Sequence, residues 1–284
     1  MLLYGILIVI IVLLAVLFMM MTRVYKTHPR PHKEDPGSLG IEFEEIGFQT
    51  QNEKQLYGWW IPVEGGNERP VIILVHGWTR NVQRMLPYVK MLHNDFNLLA
   101  FDSRSHGRSE EDTYSSMPRF AEDISAAISF INANYPGKAI GALGLSMGGA
   151  AAIYAASKNE HIKAVATVGA FAHPADVMRL EFKKRHIPYF PMVWLMFEYM
   201  QFIMKDRFND IAPEKNIGKA NAQFLIIHGT EDITAPVAQA HRLFKAANDK
   251  KAELLLLPGM AHSNCHEFPG IDEHILEFFK KSLK

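Results

Sequence analysis

The strongest candidate for covalent chemistry in this sequence is a serine with a glycine two residues before it and another two residues after it. Gly144-Leu145-Ser146-Met147-Gly148 matches G-x-S-x-G; it follows a strand-like apolar segment (AIGALGL) and opens a small-residue, helix-like segment (GGAAAIYAA). A nucleophile elbow needs this strand–turn–helix setting, and its sharp turn requires small residues two places before and after the serine. The alternative is a glycine-rich helix start with an idle serine. The setting favours Ser146 as a nucleophile.

A serine hydroxyl is a poor nucleophile until a base takes its proton, and His262 is the best-placed histidine for that task. It lies in a loop (PGMAHSN) directly after the last predicted strand (ELLLL), at the edge of the sheet where Ser146 is also expected. His266 is the nearby competitor. Three other histidines precede glycines near predicted strand ends, where a turn role is the simpler explanation: His76, His106 and His228.

A carboxylate must hold the imidazole in the correct tautomer and stabilise the imidazolium. Asp232 follows the predicted strand at 224–227, within the segment HGTEDITAP. Asp102, after an earlier predicted strand, is the rival, and it could instead cap a turn. The order serine, aspartate, histidine is the chain order of α/β-hydrolases and differs from that of chymotrypsin and subtilisin.

The oxyanion formed during acyl transfer needs two preorganised N–H donors. The backbone N–H of Met147, the residue after the nucleophile, is one candidate. The second should come from the loop after the strand at 71–75, where the backbone N–H of Trp78 is the candidate. Such chemistry implies no metal ion and no organic cofactor.

Strand-like and helix-like segments alternate through the region that must position these groups. This pattern predicts an α/β fold with a mostly parallel, doubly wound sheet. An antiparallel strand pair is expected at 41–50 and 55–63, and further strands at 71–75, 97–102, 139–145, 165–168, 224–227 and 254–257. Helices are expected at 82–93, 118–134, 147–157, 236–247 and 271–281.

The alternation breaks at residues 171–221, which are rich in methionine and aromatic residues (FPMVWLMFEYMQFIM). A buried core helix is one interpretation of this segment, whereas Glu198 argues against a second membrane span. Its position favours a helical lid over the carboxyl edge of the sheet, where open α/β sheets bind ligands.

The beginning of the chain has the composition of a membrane span. Residues 2–21 contain no charged side chain, and about 20 apolar residues cross a hydrocarbon core of roughly 30 Å. A cleaved signal peptide fits poorly, because no basic residue precedes the segment and no A-x-A-like site follows it. We therefore expect a retained transmembrane anchor at 1–22 and an extended, solvated juxtamembrane linker at 23–40, with the hydrolase domain at 41–284.

Basic residues after this segment indicate its orientation. Arg23, Lys26, Arg30 and Lys33 follow it closely, whereas no basic side chain precedes it. The positive-inside rule then predicts a single-pass membrane protein whose catalytic domain lies on the cytoplasmic side. The lipid bilayer is thus an expected partner through residues 2–21.

Composition argues against other function classes. The chain has 30 basic and 30 acidic residues and no basic cluster interleaved with aromatics, so nucleic acid is not an expected partner. The single cysteine, Cys265, cannot form an internal disulfide framework.

Five segments in order resemble the signature stretches of the α/β-hydrolase superfamily, closest to the monoacylglycerol-lipase-like serine hydrolases: VIILVHGWTRN, FDSRSHGRS, GLSMGG, HGTEDITAP and PGMAHSN. The resemblance covers residues 41–284. It implies a triad of Ser146, Asp232 and His262, with Trp78 and Met147 as oxyanion donors. Ser105 departs from the pattern, because family members often have glycine there.

The expected function is hydrolysis of a small-molecule acyl ester, or a thioester, through an acyl-serine intermediate. A lipid-like or medium-chain acyl group would suit the apolar residues of segment 171–221. An amidase or peptidase with the same triad is the alternative among enzymes. A catalytically silent, membrane-tethered binding scaffold is the alternative from another class, since a fold alone does not prove activity.

Overall fold

Eight strands form one sheet in the order β1-β2-β4-β3-β5-β6-β7-β8 in this computed structural model, which describes residues 2–25, 30–66, 68–247 and 251–284. β1 pairs with β2 and β2 with β4 in antiparallel fashion, and the other neighbours are parallel. The strands are β1 Glu44–Gln49, β2 Gln55–Ile61, β3 Val71–Val75, β4 Asn97–Phe101, β5 Ile140–Leu145, β6 Ile162–Val168, β7 Gln223–Gly229 and β8 Ala252–Leu257. The predicted α/β-hydrolase sheet is confirmed.

Ten α-helices flank and extend this sheet in the described part of the chain. They are α1 Leu2–Tyr25, α2 Leu86–Leu92, α3 Met117–Asn134, α4 Met147–Ala156, α5 Pro174–Lys184, α6 Trp194–Met204, α7 Phe208–Ile211, α8 Pro213–Asn216, α9 Ala238–Ala246 and α10 Ile271–Ser282. Short 3₁₀ turns lie at Pro36–Leu39, Gln51–Glu53, Val82–Met85, Ile217–Lys219 and Cys265–Glu267, and a π turn at Tyr189–Val193.

Helices cover both faces of the sheet, which explains why the central strands are continuous apolar runs. Every residue of β3, β4 and β5 is buried, as expected for parallel strands packed on two sides. One hydrophobic core joins the sheet to α3, α4 and α9. A second core joins the opposite face to α2 and α10. The carboxyl ends of the parallel strands are thereby left for loops.

The predicted membrane anchor at 1–22 falls on α1. Within the part of the chain that the structure describes, no helix combines the length and the hydropathy needed to cross a bilayer. The span therefore stays a prediction, as does the orientation drawn from its flank, and Lys26 of that flank lies outside the described residues. α1 contacts α6.

Residues 23–25 of the predicted linker belong to α1, and the part from Arg30 onward is mostly exposed but is held against the domain. Asn81 Nδ2 donates to the backbone carbonyl of Arg30 over 2.9 Å, and the Lys33 backbone N–H donates to Gln83 Oε1 over 2.8 Å. His32 Nε2 lies 2.7 Å from Asp102 Oδ2. The linker thus differs from the extended, solvated segment that its composition predicted, because these long-range polar contacts are invisible in composition.

One fully buried guanidinium joins the loop after β4 to α3. Arg104 has no solvent exposure, and its Nε donates to Asp123 Oδ1 over 2.8 Å. Its Nη2 donates to Glu122 Oε2 over 2.7 Å. Asp123 is equally buried, so each charge depends on the other for the solvation that water no longer provides.

Replacing Arg104 by methionine should therefore lower the free energy of unfolding by about 3–5 kcal/mol, because Asp123 would remain buried without its partner. Urea denaturation followed by circular dichroism measures this change. Arg108→Met is the matched control: Arg108 pairs with Glu45 over 2.7 Å, but both side chains are about half exposed, so the loss should stay within about 1 kcal/mol. Equal losses in the two variants would contradict this interpretation.

Candidate active site

Ser146 lies in the sharp turn between β5 and α4. Its backbone has φ 52° and ψ −113°, the strained conformation expected of a nucleophile elbow. The Ser146 backbone N–H donates to the carbonyl of Val168 over 2.8 Å, which ties the turn to the end of β6. The side chain is half-buried. The elbow predicted from G-x-S-x-G is therefore present in the backbone.

The two glycines of the motif are required by close backbone approach. A Cβ atom on Gly144 would lie 2.4 Å from the carbonyl carbon of Gly148, and one on Gly148 would lie 2.4 Å from the carbonyl oxygen of Val75. Neither position can hold a side chain without moving the backbone. The elbow can form because both residues are glycine.

The loops after β7 and β8 bring Asp232 and His262 together. His262 Nδ1 lies 2.6 Å from Asp232 Oδ2, and the carboxylate side chain is fully buried. Asp232 Oδ1 accepts the backbone N–H groups of Thr234 and Ala235, each over 2.8 Å. A carboxylate held in this way can fix the tautomer and the orientation of an imidazole.

Hydrogen bonds keep Asp232 ionised. Burial alone would raise the pKa of this carboxyl group, but hydrogen bonds from His228 and His262 outweigh burial and hold the pKa well below its usual range. Asp232 is thus an anion throughout the neutral range.

Ser146 and His262 both lie near the end of β6. Val168 accepts the Ser146 N–H, and the next residue, Gly169, has φ 65°. A Cβ atom on Gly169 would lie 3.1 Å from His262 Nδ1 and 3.5 Å from Asp232 Oδ2. The structure therefore brings the predicted nucleophile, base and acid to one place at the carboxyl edge of the sheet.

The loop that carries Trp78 lies beside the elbow. A Cβ atom on Gly77 would lie 3.4 Å from Ser146 Cβ. Thr79, the residue after Trp78, donates its backbone N–H to His106 Nε2 over 3.2 Å. Burial, and then the neighbouring His76, lower the pKa of His106 to about 3, so its ring is a neutral acceptor. His106 thus serves the turn, as its His-Gly pair predicted, and it shapes the loop that holds Trp78.

Met147, the other predicted oxyanion donor, is the first residue of α4. The N–H groups in the first turn of a helix have no acceptor within the helix. The Met147 N–H therefore has no acceptor within α4. Two backbone donors from different loops can converge on one oxygen in this arrangement.

The rival residues are placed elsewhere. Asp102 is buried and accepts the backbone N–H groups of Val82 and Arg108, over 2.7 and 2.9 Å, so it caps turns. His266 lies 3.8 Å from Glu267 and packs near the ring of Tyr88. Neither of these rivals joins the His262–Asp232 pair.

Ser105, where the superfamily pattern often has glycine, adopts φ 65°. This left-handed conformation is the one that favours glycine. Asp112 donates its backbone N–H to Ser105 Oγ over 2.9 Å. The loop therefore keeps the expected backbone geometry despite the substitution.

Comparison with protein families identifies the chain. Residues 66–210, about half of its length, match the family model described as serine aminopeptidase, S33, in the hydrolase group. The chain belongs to this family. The matched region contains Ser146 but ends before Asp232 and His262, which the fold supplies from the last third of the chain.

Two solved structures share the fold of this S33 family member at low identity, and one curated protein resembles it in sequence. A Pyrococcus furiosus esterase, Pf2001, superposes with a TM-score of 0.74 at 21% identity, over 90% of this chain and 99% of that one. A Pyrococcus horikoshii acylaminoacyl peptidase superposes with a TM-score of 0.62 at 19% identity, over 89% of this chain and 44% of that one. The uncharacterized protein YfhR of Escherichia coli O157:H7 is 25% identical over 77% of this chain and 73% of its own length.

A second histidine contacts the acid of this S33 hydrolase. His228 is fully buried, and its Nε2 lies 2.6 Å from the carbonyl oxygen of Ala235 and 3.3 Å from Asp232 Oδ2. An oxygen that close to Nε2 requires a proton on that nitrogen, and Nδ1 has no partner among the described residues. His228 Nε2–H is therefore a donor to the loop that carries Asp232.

The sequence predicted a turn role for His228, because glycine follows it. A second signal was available: His228 and Asp232 are four residues apart, on either side of a strand end, so the chain can fold the aspartate back onto the ring. His228 is thus a contact of Asp232 that the sequence reasoning missed.

The segment at 171–221 is helical and lies beside the loop that carries Asp232, which we call the acid loop. Lys184, the last residue of α5, donates from Nζ to the carbonyl of Ile233 over 2.7 Å. α6 buries one face and exposes the other. Its buried residues are Met196, Phe197 and Met200, whereas Trp194, Tyr199 and Phe202 are exposed, with Phe202 at 80%. The segment therefore has core contacts as well as an apolar surface.

No group of three or more His, Cys, Asp or Glu side chains that could hold a metal ion occurs among the described residues. Cys265 is buried, and burial raises the pKa of its thiol to about 11. A thiolate nucleophile is therefore not available at neutral pH.

Proposed function

We propose that this protein is a serine hydrolase that cleaves carboxylic esters through an acyl-Ser146 intermediate. The observation that carries the proposal is the 2.6 Å contact between His262 Nδ1 and Asp232 Oδ2 beside the strained elbow at Ser146. Nucleophile, base and orienting carboxylate then have the chain order and the loop positions of an α/β-hydrolase triad.

The proposed reaction has two half-reactions. His262 takes the proton of Ser146 Oγ as the serine attacks the ester carbonyl, and Asp232 stabilises the resulting imidazolium. The N–H groups of Met147 and Trp78 bind the oxyanion. His262 then gives its proton to the departing alcohol, which leaves an acyl-serine. A water molecule, deprotonated by His262, releases the acid and restores Ser146.

Apolar surface on the helical segment supports a lipid-like acyl group. Phe190 and Phe202 are 70% and 80% exposed, and Trp194 lies beside Phe190 with ring centroids 5.8 Å apart. A surface of this kind suits a flexible hydrocarbon chain, and each buried methylene contributes roughly 0.8 kcal/mol. We therefore propose medium-chain or lipid-like acyl esters, or thioesters, as substrates.

An amide substrate is the second candidate. The family is described as a serine aminopeptidase, and one structural neighbour is an acylaminoacyl peptidase. The triad chemistry does not choose between an alcohol and an amine as the leaving group. A direct comparison of an ester with the matching amide decides between the two candidates.

We also propose that α1 anchors the enzyme in a membrane, with the hydrolase domain on the cytoplasmic side. Residues 2–21 carry no charge. The described apolar side chains of α1 are largely exposed, including Leu3 at 82%, Ile8 at 61% and Ile11 at 56%. An exposed apolar surface of this size calls for a covering phase, and lipid is the phase that suits a single helix.

A fluorophosphonate probe should label the wild-type protein and fail to label Ser146→Ala. His262→Ala and Asp232→Asn should each lower kcat by roughly 10³-fold or more. His266→Ala is the matched control and should keep most activity.

Esters with two to eight acyl carbons, assayed with the matching anilides, test the substrate class. Labelling that persists in Ser146→Ala would remove the proposal, and faster anilide turnover would favour the peptidase. An unlabelled, inactive wild type would favour the silent scaffold.

His228→Leu should lower kcat about 10-fold or more with little change in KM, because Asp232 loses a hydrogen bond of roughly 1.5–3 kcal/mol. His228→Gln keeps an N–H donor and should recover most of the loss. The matched control is His161→Leu, at an exposed position, and it should have no effect. Wild-type kcat in His228→Leu, with the fold intact by circular dichroism, would show that the contact does not position Asp232.

The full-length protein should stay in the membrane pellet after alkaline carbonate extraction, whereas a chain lacking residues 1–22 should be released. Protease added outside intact cells should leave the domain uncleaved, because the basic flank favours the cytoplasmic side. Extraction of the full-length chain would refute the anchor. External cleavage would reverse the orientation only.

A further inference from the structure

A basic groove lies where the linker meets the hydrolase domain, outside the triad. Its cavity is about 1250 Å³. One wall is the linker and the other is formed by the segment from Arg80 to Met91, together with residues 266–272. The basic side chains of the groove are Arg30, Lys33, Arg80, Arg84 and Lys90, whereas its acidic ones are Glu34 and Asp272.

The five basic side chains of the groove outnumber its two acidic ones, and Arg84 Nη2 donates to an uncharged acceptor, the backbone carbonyl of Ser263. Among the salt bridges between described residues, none involves the five basic side chains of the groove, whereas Arg104, Arg119 and Arg242 all bind carboxylates elsewhere. Burial, followed by the neighbouring Arg30 and Arg84, lowers the pKa of Arg80. Like charges have thus been gathered in one place, where an anion would relieve their repulsion.

The groove is held open by specific contacts and not by chance proximity of a loose segment. His32 binds the buried carboxylate of Asp102 over 2.7 Å, and its ring packs against Tyr57 and Trp59 with centroids 5.4 and 5.7 Å away. Asn81 Nδ2 binds the carbonyl of Arg30. These contacts fix the linker wall with its basic side chains exposed toward the groove.

The apolar part of the lining indicates the chemistry of the occupant. Hydrophobic side chains line the groove between the charges, namely Pro31, Leu39, Leu86, Met91, Phe268 and Ile271. A free inorganic anion would make no apolar contact with this surface. A phospholipid can contact it, because its phosphate lies beside a glycerol and acyl chains. Arg30 is five residues after the end of α1 at Tyr25, so it lies at most about 18 Å from it.

We propose that this groove binds the phosphate of an anionic phospholipid headgroup, such as phosphatidylglycerol, and so fixes how the domain rests on a bilayer surface. The site is separate from the triad, and the proposal does not depend on the reaction at Ser146. Basic side chains near a membrane surface contribute to such binding individually and electrostatically.

The test uses the full-length chain carrying Ser146→Ala, in neutral detergent, so that no lipid is hydrolysed. Native mass spectrometry measures the Kd for phosphatidylglycerol and for phosphatidylcholine with the same acyl chains. Both lipids can contact α1 or an acyl pocket, so only a preference for the anionic headgroup reports on the groove. We expect phosphatidylglycerol to bind at least about 30-fold more tightly, the ratio expected from two or more basic contacts.

Arg80→Gln with Lys90→Gln should weaken phosphatidylglycerol binding about 30-fold and leave phosphatidylcholine unchanged. Lys163→Gln with Lys245→Gln removes the same charge from exposed positions outside the groove and should change neither. Arg30→Gln with Lys33→Gln tests the opposite wall on the exposed linker, where folding is not at risk, and should weaken binding similarly.

Equal affinity for the two lipids in the unmutated groove would overturn the proposal. Equal loss in the Lys163/Lys245 control would do the same, because net charge alone would then explain the preference. Binding of inorganic phosphate that depends on Arg80 and Lys90, without a preference for phosphatidylglycerol, would assign the groove to a free anion and refute the lipid.

Discussion

The site depends on backbone crowding around Ser146. The positive φ of this residue is possible only because β3, β5 and α4 approach one another without side chains between them. A Cβ atom at Gly144 or at Gly148 would come within 2.4 Å of a backbone atom. The same turn donates the Ser146 N–H to Val168. The serine is therefore fixed by the ends of three parallel strands, and the loops that carry His262 and Trp78 follow strands of that same edge.

Buried carboxylates provide the second level of order. Asp232, Asp102 and Asp123 have no exposed side-chain surface or nearly none, and a buried anion is tolerated only when donors surround it. Asp232 gathers its own loop and two histidines. Asp102 gathers the turns at Val82 and Arg108 together with His32 of the linker. The loops around these aspartates therefore adopt conformations that supply hydrogen-bond donors to the carboxylates, because a buried carboxylate without donors would destabilise the fold.

Much of this arrangement was predictable because it is local. β3 was predicted at its observed bounds, since a run of apolar residues between turn signals predicts a strand buried on both faces. The motif Gly144–Gly148 predicted the elbow because it, too, is a local pattern. β6 begins at Ile162 and not at 165 as predicted. The prediction was short because exposed Lys163, the second residue of the strand, interrupts the apolar pattern. Local pattern therefore finds buried elements but shortens them where they reach solvent.

The contacts that sequence reasoning missed join residues distant in the chain or hidden by a stronger local signal. His228 was predicted to be a turn residue because glycine follows it, although its ring faces Asp232. The linker was predicted to be solvated because prolines and charges dominate it. Its His32 nevertheless contacts Asp102, which is 70 residues away in the chain. No periodicity encodes such a pair, since it depends on a burial pattern that exists only after the sheet has formed.

The His32–Asp102 contact makes the linker part of the same structure as the site. Asp102 also holds the Val82 N–H at the end of the loop that carries Trp78. α1 touches the domain again at α6, on the segment whose Lys184 reaches the acid loop. The amino-terminal part of the chain therefore contacts the domain at two places, through α1 at α6 and through His32 at Asp102. A domain attached at two points has a restricted orientation, so the face presented along α1 follows from contacts within the chain, whatever surface α1 itself occupies.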